Sequence, residues 1–250
     1  MRRKILIIPD VHGRTFWKEP LKEIDTFEKI IFLGDYLDPY DYFEGITPEM
    51  ALENFKEILE VKKANPHKII LLLGNHCSHY AWPGDAEKST RYSYELAPII
   101  EPLYKETEFL VAYQENIGDT KYIFTHAGIT KRWIEQNKLE LPEDHIDSWL
   151  NSLAHEATGR GMIADIGRSR GGYAPSGGPM WADFYEDHDP YFANLEGRRI
   201  RKDIYQIFGH TQTFDGSVGK NIACLDCKKA WIMDLETGEI EKYEKDNREN

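Results

Sequence analysis

The sequence predicts an α/β fold whose chemistry gathers at the carboxyl ends of its strands. Two observations carry the prediction. The first third of the chain alternates short apolar runs with helical periodicity in the order β-α-β-α-β, which argues for parallel strands joined by crossover helices. Then, at five places, an apolar run stops and metal-ligand residue types follow. These are Asp10-Val11-His12, Gly34-Asp35-Tyr36-Leu37-Asp38, Gly74-Asn75-His76, Thr125-His126-Ala127-Gly128 and Gly209-His210-Thr211. Open α/β sheets build their sites at such strand ends.

Taken in order, Lys4 to Ile8 reads as the first strand and Pro9 to Gly13 as the loop after it. An amphipathic helix is expected over Trp17 to Phe27. Lys29 to Leu33 is the second strand, and the Asp- and Tyr-rich stretch from Asp35 to Gly45 is a loop. Thr47-Pro48-Glu49 opens a helix, with Thr as N-cap and Pro at the first helical position. Met50, Leu52, Phe55, Ile58, Leu59 and Val61 follow an approximate helical period, Asn65-Pro66 ends it, and Ile69 to Leu73 is the third strand. A helical segment interrupted by Pro98 and Pro102 spans Ser93 to Tyr104. Phe109 to Gln114 and Lys121 to Thr125 are further strands. Lys131 to Glu156 reads as helical, with Trp133, Ile134, Ile146, Trp149, Leu150 and Leu153 inward. Gly159 to Pro179 holds seven glycines and reads as a long functional loop. Asp203 to Phe208 is a strand, and Asn221 to Lys242 alternates like antiparallel strands with a hairpin turn at Thr237-Gly238. The expectation is one domain over residues 1–244 and a polar tail over 245–250.

With 250 residues and 41% hydrophobic content, the chain can bury one sizeable core. A formal net charge of -12 argues against a general nucleic-acid or anionic-membrane binder. A phosphate-bearing substrate would need a locally positive site. No apolar run is long enough to span a bilayer. MRRKILIIPD has basic residues before an apolar run, as signal peptides do. The run is short, however, and Pro9, Asp10 and His12 stand where a small-residue cleavage site belongs. Three cysteines point to a reducing compartment rather than a disulfide framework, so a cytoplasmic location is expected.

Two close divalent metals need one bridging ligand, and the carboxylate of Asp35 suits that role. Asp10 and His12, two residues apart in an extended loop, can reach one ion. Asn75, His126 and His210 can complete the other. Mixed imidazole and carboxylate donors suit Mn, Fe or Zn, with Mn expected here. Such a pair stabilises the attacking and leaving oxygens of a phosphoryl displacement and makes hydroxide available near neutral pH. His76 exceeds the ligand count and is the candidate general acid, with Asp38 orienting its ring.

In the order DVHG, GDYLD, GNH, THAG and GHT, these motifs resemble those of the calcineurin-like metallophosphoesterases, over roughly Ile5 to Asp234. Trp181-Ala182-Asp183 adds a likeness to the serine/threonine protein phosphatase branch and its bacterial relatives. The resemblance implies a four-layer α-β-β-α sandwich with two central mixed sheets and a dinuclear site between them. It implies Asp10, His12 and Asp35 at one metal, Asp35, Asn75, His126 and His210 at the other, and His76 with Asp38 as the acid pair. The expected activity is hydrolysis of phosphomonoesters by metal-bridging hydroxide. The substrate is a phosphoprotein or a small phosphoester or nucleotide, and a dinucleoside polyphosphate hydrolase is the alternative.

Pro39 and Leu73 stand where that branch usually carries arginines, and Cys77 follows GNH in place of an acidic residue. Gln212 fills the second position of the GH-x-H found in phosphodiesterase relatives. Arg14, Arg168 and Arg170 are therefore the candidate phosphate-binding residues, because a guanidinium grips phosphate in bidentate fashion. Arg198, Arg199 and Arg201 form a basic cluster that a solvated helix face explains equally well. His67, His145, His155 and His188 lie outside the motifs and read as surface or helix residues, whereas His79 is close to them in sequence. Cys224 and Cys227 have metal-site spacing without a second pair and read as strand residues. Tyr36, Tyr40, Tyr42 and Phe43 either line a base pocket or pack their loop onto its sheet.

Overall fold

The computed structural model describes residues 3–185 and 200–245. Its strands are β1 (Lys4–Ile8), β2 (Lys29–Phe32), β3 (Ile69–Leu71), β4 (Ala112–Ile117), β5 (Thr120–Thr125), β6 (Ile204–Phe208), β7 (Ser217–Val218), β8 (Ile222–Cys224), β9 (Trp231–Asp234) and β10 (Ile240–Lys242). The helices are α1 (Asp41–Glu44), α2 (Pro48–Ala64), α3 (Asn75–Ala81), α4 (Ala97–Glu106), α5 (Lys131–Gln136), α6 (Ile146–Leu153) and α7 (Ala157–Ile163).

The strands form two mixed sheets. The first has the order β10-β9-β1-β2-β3, with β1 to β3 parallel and β9 and β10 antiparallel. The second has the order β4-β5-β6-β8-β7, with β5, β6 and β8 parallel and β4 and β7 antiparallel at its edges. Side chains alternate across each sheet. Ile5, Ile7, Ile31 and Leu33 share a buried cluster with Phe124, Ile207, Ala223 and Met233, which fills the space between the sheets. Leu6, Ile8, Ile30 and Phe32 point the other way and pack with Leu52, Phe55 and Ile58 of α2. Ile123 turns outward from the second sheet into the cluster that holds Trp133, Ile146 and Leu150 of α5 and α6. The layers are helix, sheet, sheet, helix. Strands buried on both faces read as unbroken apolar runs rather than alternating ones, as β1 and β2 do.

Helix α2 starts where its sequence says it should: Thr47 Oγ1 accepts the N–H of Met50 at 3.3 Å, and Pro48 opens the first turn. Burying Leu52, Phe55 and Ile58 contributes about 1.5–3 kcal/mol each.

Several expectations change. Over Trp17 to Phe27 only Pro20–Thr26 is helical, as a 3-10 turn, because Pro20 cannot accept a helix from Trp17 onward. The stretch from Lys131 to Glu156 divides into α5 and α6, separated by left-handed residues at Lys138 and His145 with Pro142 between them. Gly159 and Gly161 sit in α7 rather than a loop. A Cβ at Gly159 would meet the Leu153 carbonyl oxygen at 1.9 Å, so this glycine serves close packing. A further 3-10 turn covers Arg168–Arg170. The segment expected over Ser93 to Tyr104 becomes α4, which begins only at Ala97. The tail is not one antiparallel run: β8 lies parallel to β6 in the second sheet, and the chain crosses to the first sheet before the β9–β10 hairpin. The hairpin turns at Gly238 with φ +74. His188, Arg198, Arg199 and the tail residues 246–250 lie outside the described residues. Among the described residues no helix is long and apolar enough to cross a membrane.

Candidate metal centre

The carboxyl ends of the parallel strands from both sheets meet. Because β1 and β2 are neighbours, the N–H groups of Val11 and His12 donate to the Asp35 carbonyl at 3.0 and 2.7 Å. The second sheet pairs β5 with β6, and Gly209 N–H donates to the His126 carbonyl at 2.8 Å. Hydrogen bonds also cross between the sheets: His210 N–H donates to Asp10 Oδ1 at 2.9 Å, and His126 Nδ1–H donates to the Leu33 carbonyl at 2.9 Å. The five sequence motifs therefore converge on one place.

That convergence is held by unusual backbone. His12, Asp35, Asp38 and His210 have φ of 46, 50, 55 and 63°, in the left-handed region that non-glycine residues avoid. Each such residue costs about 1–3 kcal/mol and persists only where the surroundings impose it. Gly74 and Gly209 allow the close approach. A Cβ at Gly74 would stand 2.1 Å from Asp35 Oδ1, and one at Gly209 would stand 2.1 Å from Asp10 Oδ1.

The donors fit a pair of divalent ions. A carbonyl oxygen only accepts, so His12 Nδ1 and His126 Nδ1, 2.8 and 2.9 Å from the Leu37 and Leu33 carbonyls, must carry their protons. Each ring then turns an Nε2 lone pair inward, and each Nε2 lies 3.5 Å from Asp35 Oδ2. Orienting a ligand histidine through its other nitrogen is how protein metal sites fix the tautomer. Asn75 Oδ1 lies 2.9 Å from both His126 Nε2 and His210 Nδ1. Asp35 is common to two tight groups, one with Asp10 and His12 and one with His126 and His210. These clusters and the ligand chemistry point to a dinuclear divalent site.

Electrostatics agree with that reading. Burial pushes His12 down to about 3, so its imidazole is neutral and free to ligate. Burial opposes ionisation of Asp35, but His126, His76 and His12 outweigh it and hold the carboxyl below its usual range. Burial, with the nearby Asp35 charge, raises Asp10. Asp226, which the sequence reading passed over, is pushed up to about 8 by burial and the charge of Asp10. Its Oδ1 has no hydrogen-bond partner among the described residues. Carboxylates crowded in this way need cations beside them.

His76 Nδ1 lies 2.8 Å from Asp38 Oδ2. Asp38 is also held by Tyr80 Oη–H at 2.7 Å and Ser89 Oγ–H at 3.2 Å, and His79 Nε2 lies 2.9 Å from its Oδ2. Arg91 completes the cluster. Its Nη2 donates to His76 Nε2 at 2.9 Å, its Nη1 donates to the Asp38 carbonyl, and its guanidinium lies over the Tyr40 ring, 3.7 Å from the centroid. His79 and Tyr80 were findable, since they follow His76 by one helical turn in α3. Ser89 and Arg91 come from irregular chain that carries no spacing signal.

The three arginines expected at the substrate are placed differently. Arg14 is bound in bidentate fashion by Glu44, at 2.6 and 3.0 Å. Arg170 pairs with Asp183 at 2.6 Å and donates to Thr211 Oγ1 at 2.8 Å, beside His210. Arg168 is exposed. Of the tyrosine-rich loop, Tyr36 is buried and stacked on Phe55, whereas Tyr40 is 38% exposed with its ring 5.2 Å from that of His12. The Trp181 ring stands edge-on to His210 at 5.8 Å. His67, His145 and His155 are exposed, and all three cysteines are buried.

Residues 3–213 match the profile described as calcineurin-like phosphoesterase. No curated protein sequence matches the chain significantly. A mutant of a cold-active protein tyrosine phosphatase aligns over 98% of this chain and 81% of its own, at 15% identity and a TM-score of 0.53. The cold-active protein-tyrosine phosphatase of a psychrophile, Shewanella sp., aligns over the same 98% and 81%, at 15% identity and a TM-score of 0.51. A protein serine/threonine phosphatase from Saccharomyces cerevisiae, with similarity to human phosphatase PP5, aligns over 100% of this chain and 82% of its own, at 14% identity and a TM-score of 0.50. At these identities the likeness is one of fold.

Proposed function

The chain belongs to the calcineurin-like phosphoesterase family and is a metal-dependent phosphoester hydrolase, and we propose that its substrates are phosphomonoesters, as for a bacterial protein serine/threonine phosphatase. The observation that supports this reading is the crowding of Asp10, His12, Asn75, His126 and His210 around Asp35, with the His76 ring 5.1 Å from that of His12.

Asp10, His12 and Asp35 would hold one ion, and Asp35, Asn75, His126 and His210 the other. Two divalent ions there supply Lewis acidity and make hydroxide available near neutral pH. Mn is the expected metal, and Fe or Zn fits the same donors. The backbone N–H of His76 donates to Asp35 Oδ1 at 2.8 Å and fixes the shared carboxylate. Water gives up a proton to solvent and its oxygen joins phosphorus, the bond to the leaving alcohol breaks, and His76 gives its Nε2 proton to the departing oxygen. Asp38 stabilises the charged ring that the acid requires. The attack is direct, with no covalent link to the protein.

A dinucleoside polyphosphate or other nucleotide substrate is the second reading. Tyr40, part-exposed beside His12, supports it by offering a ring on which a base can stack. Tyr36 is too deeply buried to take part.

The test is hydrolysis of an aryl phosphomonoester by metal-stripped protein, with and without added Mn, beside His76→Asn. The expected result is Mn-dependent turnover that falls in the variant, by less the better the leaving group. Phosphopeptides set against dinucleoside polyphosphates then decide between the two readings. Absence of turnover from protein that holds two ions would count against both.

A further inference from the structure

We propose that Arg91 is the guanidinium that grips the substrate phosphoryl group, and that it selects monoesters over diesters; the proposal rests on the phosphoesterase reading above. The sequence lacks arginines at Pro39 and Leu73, and the net charge of -12 gives an approaching phosphate no general attraction. A local cation is required. Among the described residues, the other arginines that are not exposed each have a carboxylate within reach: Arg14 has Glu44, Arg160 has Asp85, Arg170 has Asp183 and Arg201 has Asp203. Arg91 has none. It is half-buried, laid on the Tyr40 face and tied to the Asp38 carbonyl. A desolvated guanidinium without a counter-ion is a ready anion site, and its planar fork matches phosphate.

Its position gives the selectivity. Arg91 Nη2 touches His76 Nε2, the nitrogen from which the leaving oxygen would take its proton. The guanidinium is therefore one hydrogen bond from the bond that breaks. A phosphomonoester has three non-leaving oxygens. Two can face the ligand cluster around Asp35, and the third carries charge that needs a donor. In a diester that third oxygen bears a second alcohol, which cannot accept a charge-assisted bond and would crowd Arg91.

The same contact fixes how the two side chains share the site. An N–H that donates to His76 Nε2 needs a lone pair there, so Arg91 must leave that nitrogen for a phosphoryl oxygen before the nitrogen can face the leaving group.

The experiment uses Mn-loaded wild type, Arg91→Gln, Arg91→Lys and Tyr40→Leu, with metal content and folding checked for each. Three quantities are read: kcat/KM for 4-nitrophenyl phosphate, kcat/KM for bis(4-nitrophenyl) phosphate, and the affinity for inorganic phosphate by calorimetry. Arg91→Gln should lose about 10²–10³-fold on the monoester. It should change the diester far less and weaken phosphate binding by about tenfold or more. Arg91→Lys should regain part of the phosphate affinity, and Tyr40→Leu should lose a smaller part. Equal losses on both esters with unchanged phosphate affinity would overturn the proposal and leave Arg91 as a prop for His76. If the wild type hydrolyses neither ester, the phosphomonoesterase reading falls, while the phosphate affinities still decide the role of Arg91.

Discussion

His76 is gripped on one side by Asp38 and on the other by Arg91, so its proton is under control from both nitrogens. An acid matters most when the leaving group is poor. His76→Asn should therefore lose about 10²–10⁴-fold on alkyl phosphates and distinctly less on 4-nitrophenyl phosphate. Rates across a series of leaving groups check this, and an equal loss across the series would argue against the acid role. A second residue-scale prediction concerns Glu44. Hydrogen bonds from Arg14, and then from Lys228, hold its carboxyl down to about 2 from an ordinary 4.5. Its stabilisation is therefore full above about pH 4.5 and is lost as pH falls toward 2. Glu44→Gln should cost about 1.5 kcal/mol at neutral pH and progressively less as pH falls through 2, as read by denaturant melts across that window. At this scale the metal-ligand types were legible because Asp, His and Asn follow apolar strands directly. Arg91 was not, because its position depends on how an irregular segment folds back over Tyr40.

At the scale of elements, three of the five strand ends place a glycine directly before the ligand: Gly34, Gly74 and Gly209. Gly74 is an N-cap without a side chain, and α3 begins at Asn75 itself. Gly74→Ala would raise helix propensity but drive a methyl group into Asp35 Oδ1. The expected outcome is a folded protein, destabilised by about 1–3 kcal/mol, that retains less than its full complement of metal. Elemental analysis beside a thermal melt checks this, and full metal retention would contradict the packing argument. The strands and α2 were readable from periodicity and capping. The break between α5 and α6 was not, because the apolar spacing continues across the left-handed turns at Lys138 and His145. Gly159 misled because a glycine that makes room for the Leu153 carbonyl looks in sequence like one that loosens a loop.

For the whole molecule, the centre joins the two sheets, with Asp10 and Asp35 from one and His126 and His210 from the other. Anything that binds there resists their separation. At a metal concentration a hundredfold above the dissociation constant, the linkage is worth about 2.7 kcal/mol. Stripping the metal should therefore lower Tm by about 5–10 °C, and Asp35→Asn should abolish most of that difference. The two-sheet architecture was legible only through the ordered motifs, since β8 and β9 are neighbours in sequence yet belong to different sheets. The decisive measurement follows bound metal and turnover on one sample as Mn is titrated into stripped protein. Hydrolysis of a phosphomonoester should stay low through the first equivalent, rise with the second and saturate at two ions per chain. Full activity with one ion bound, or two bound ions with no hydrolysis, would contradict this.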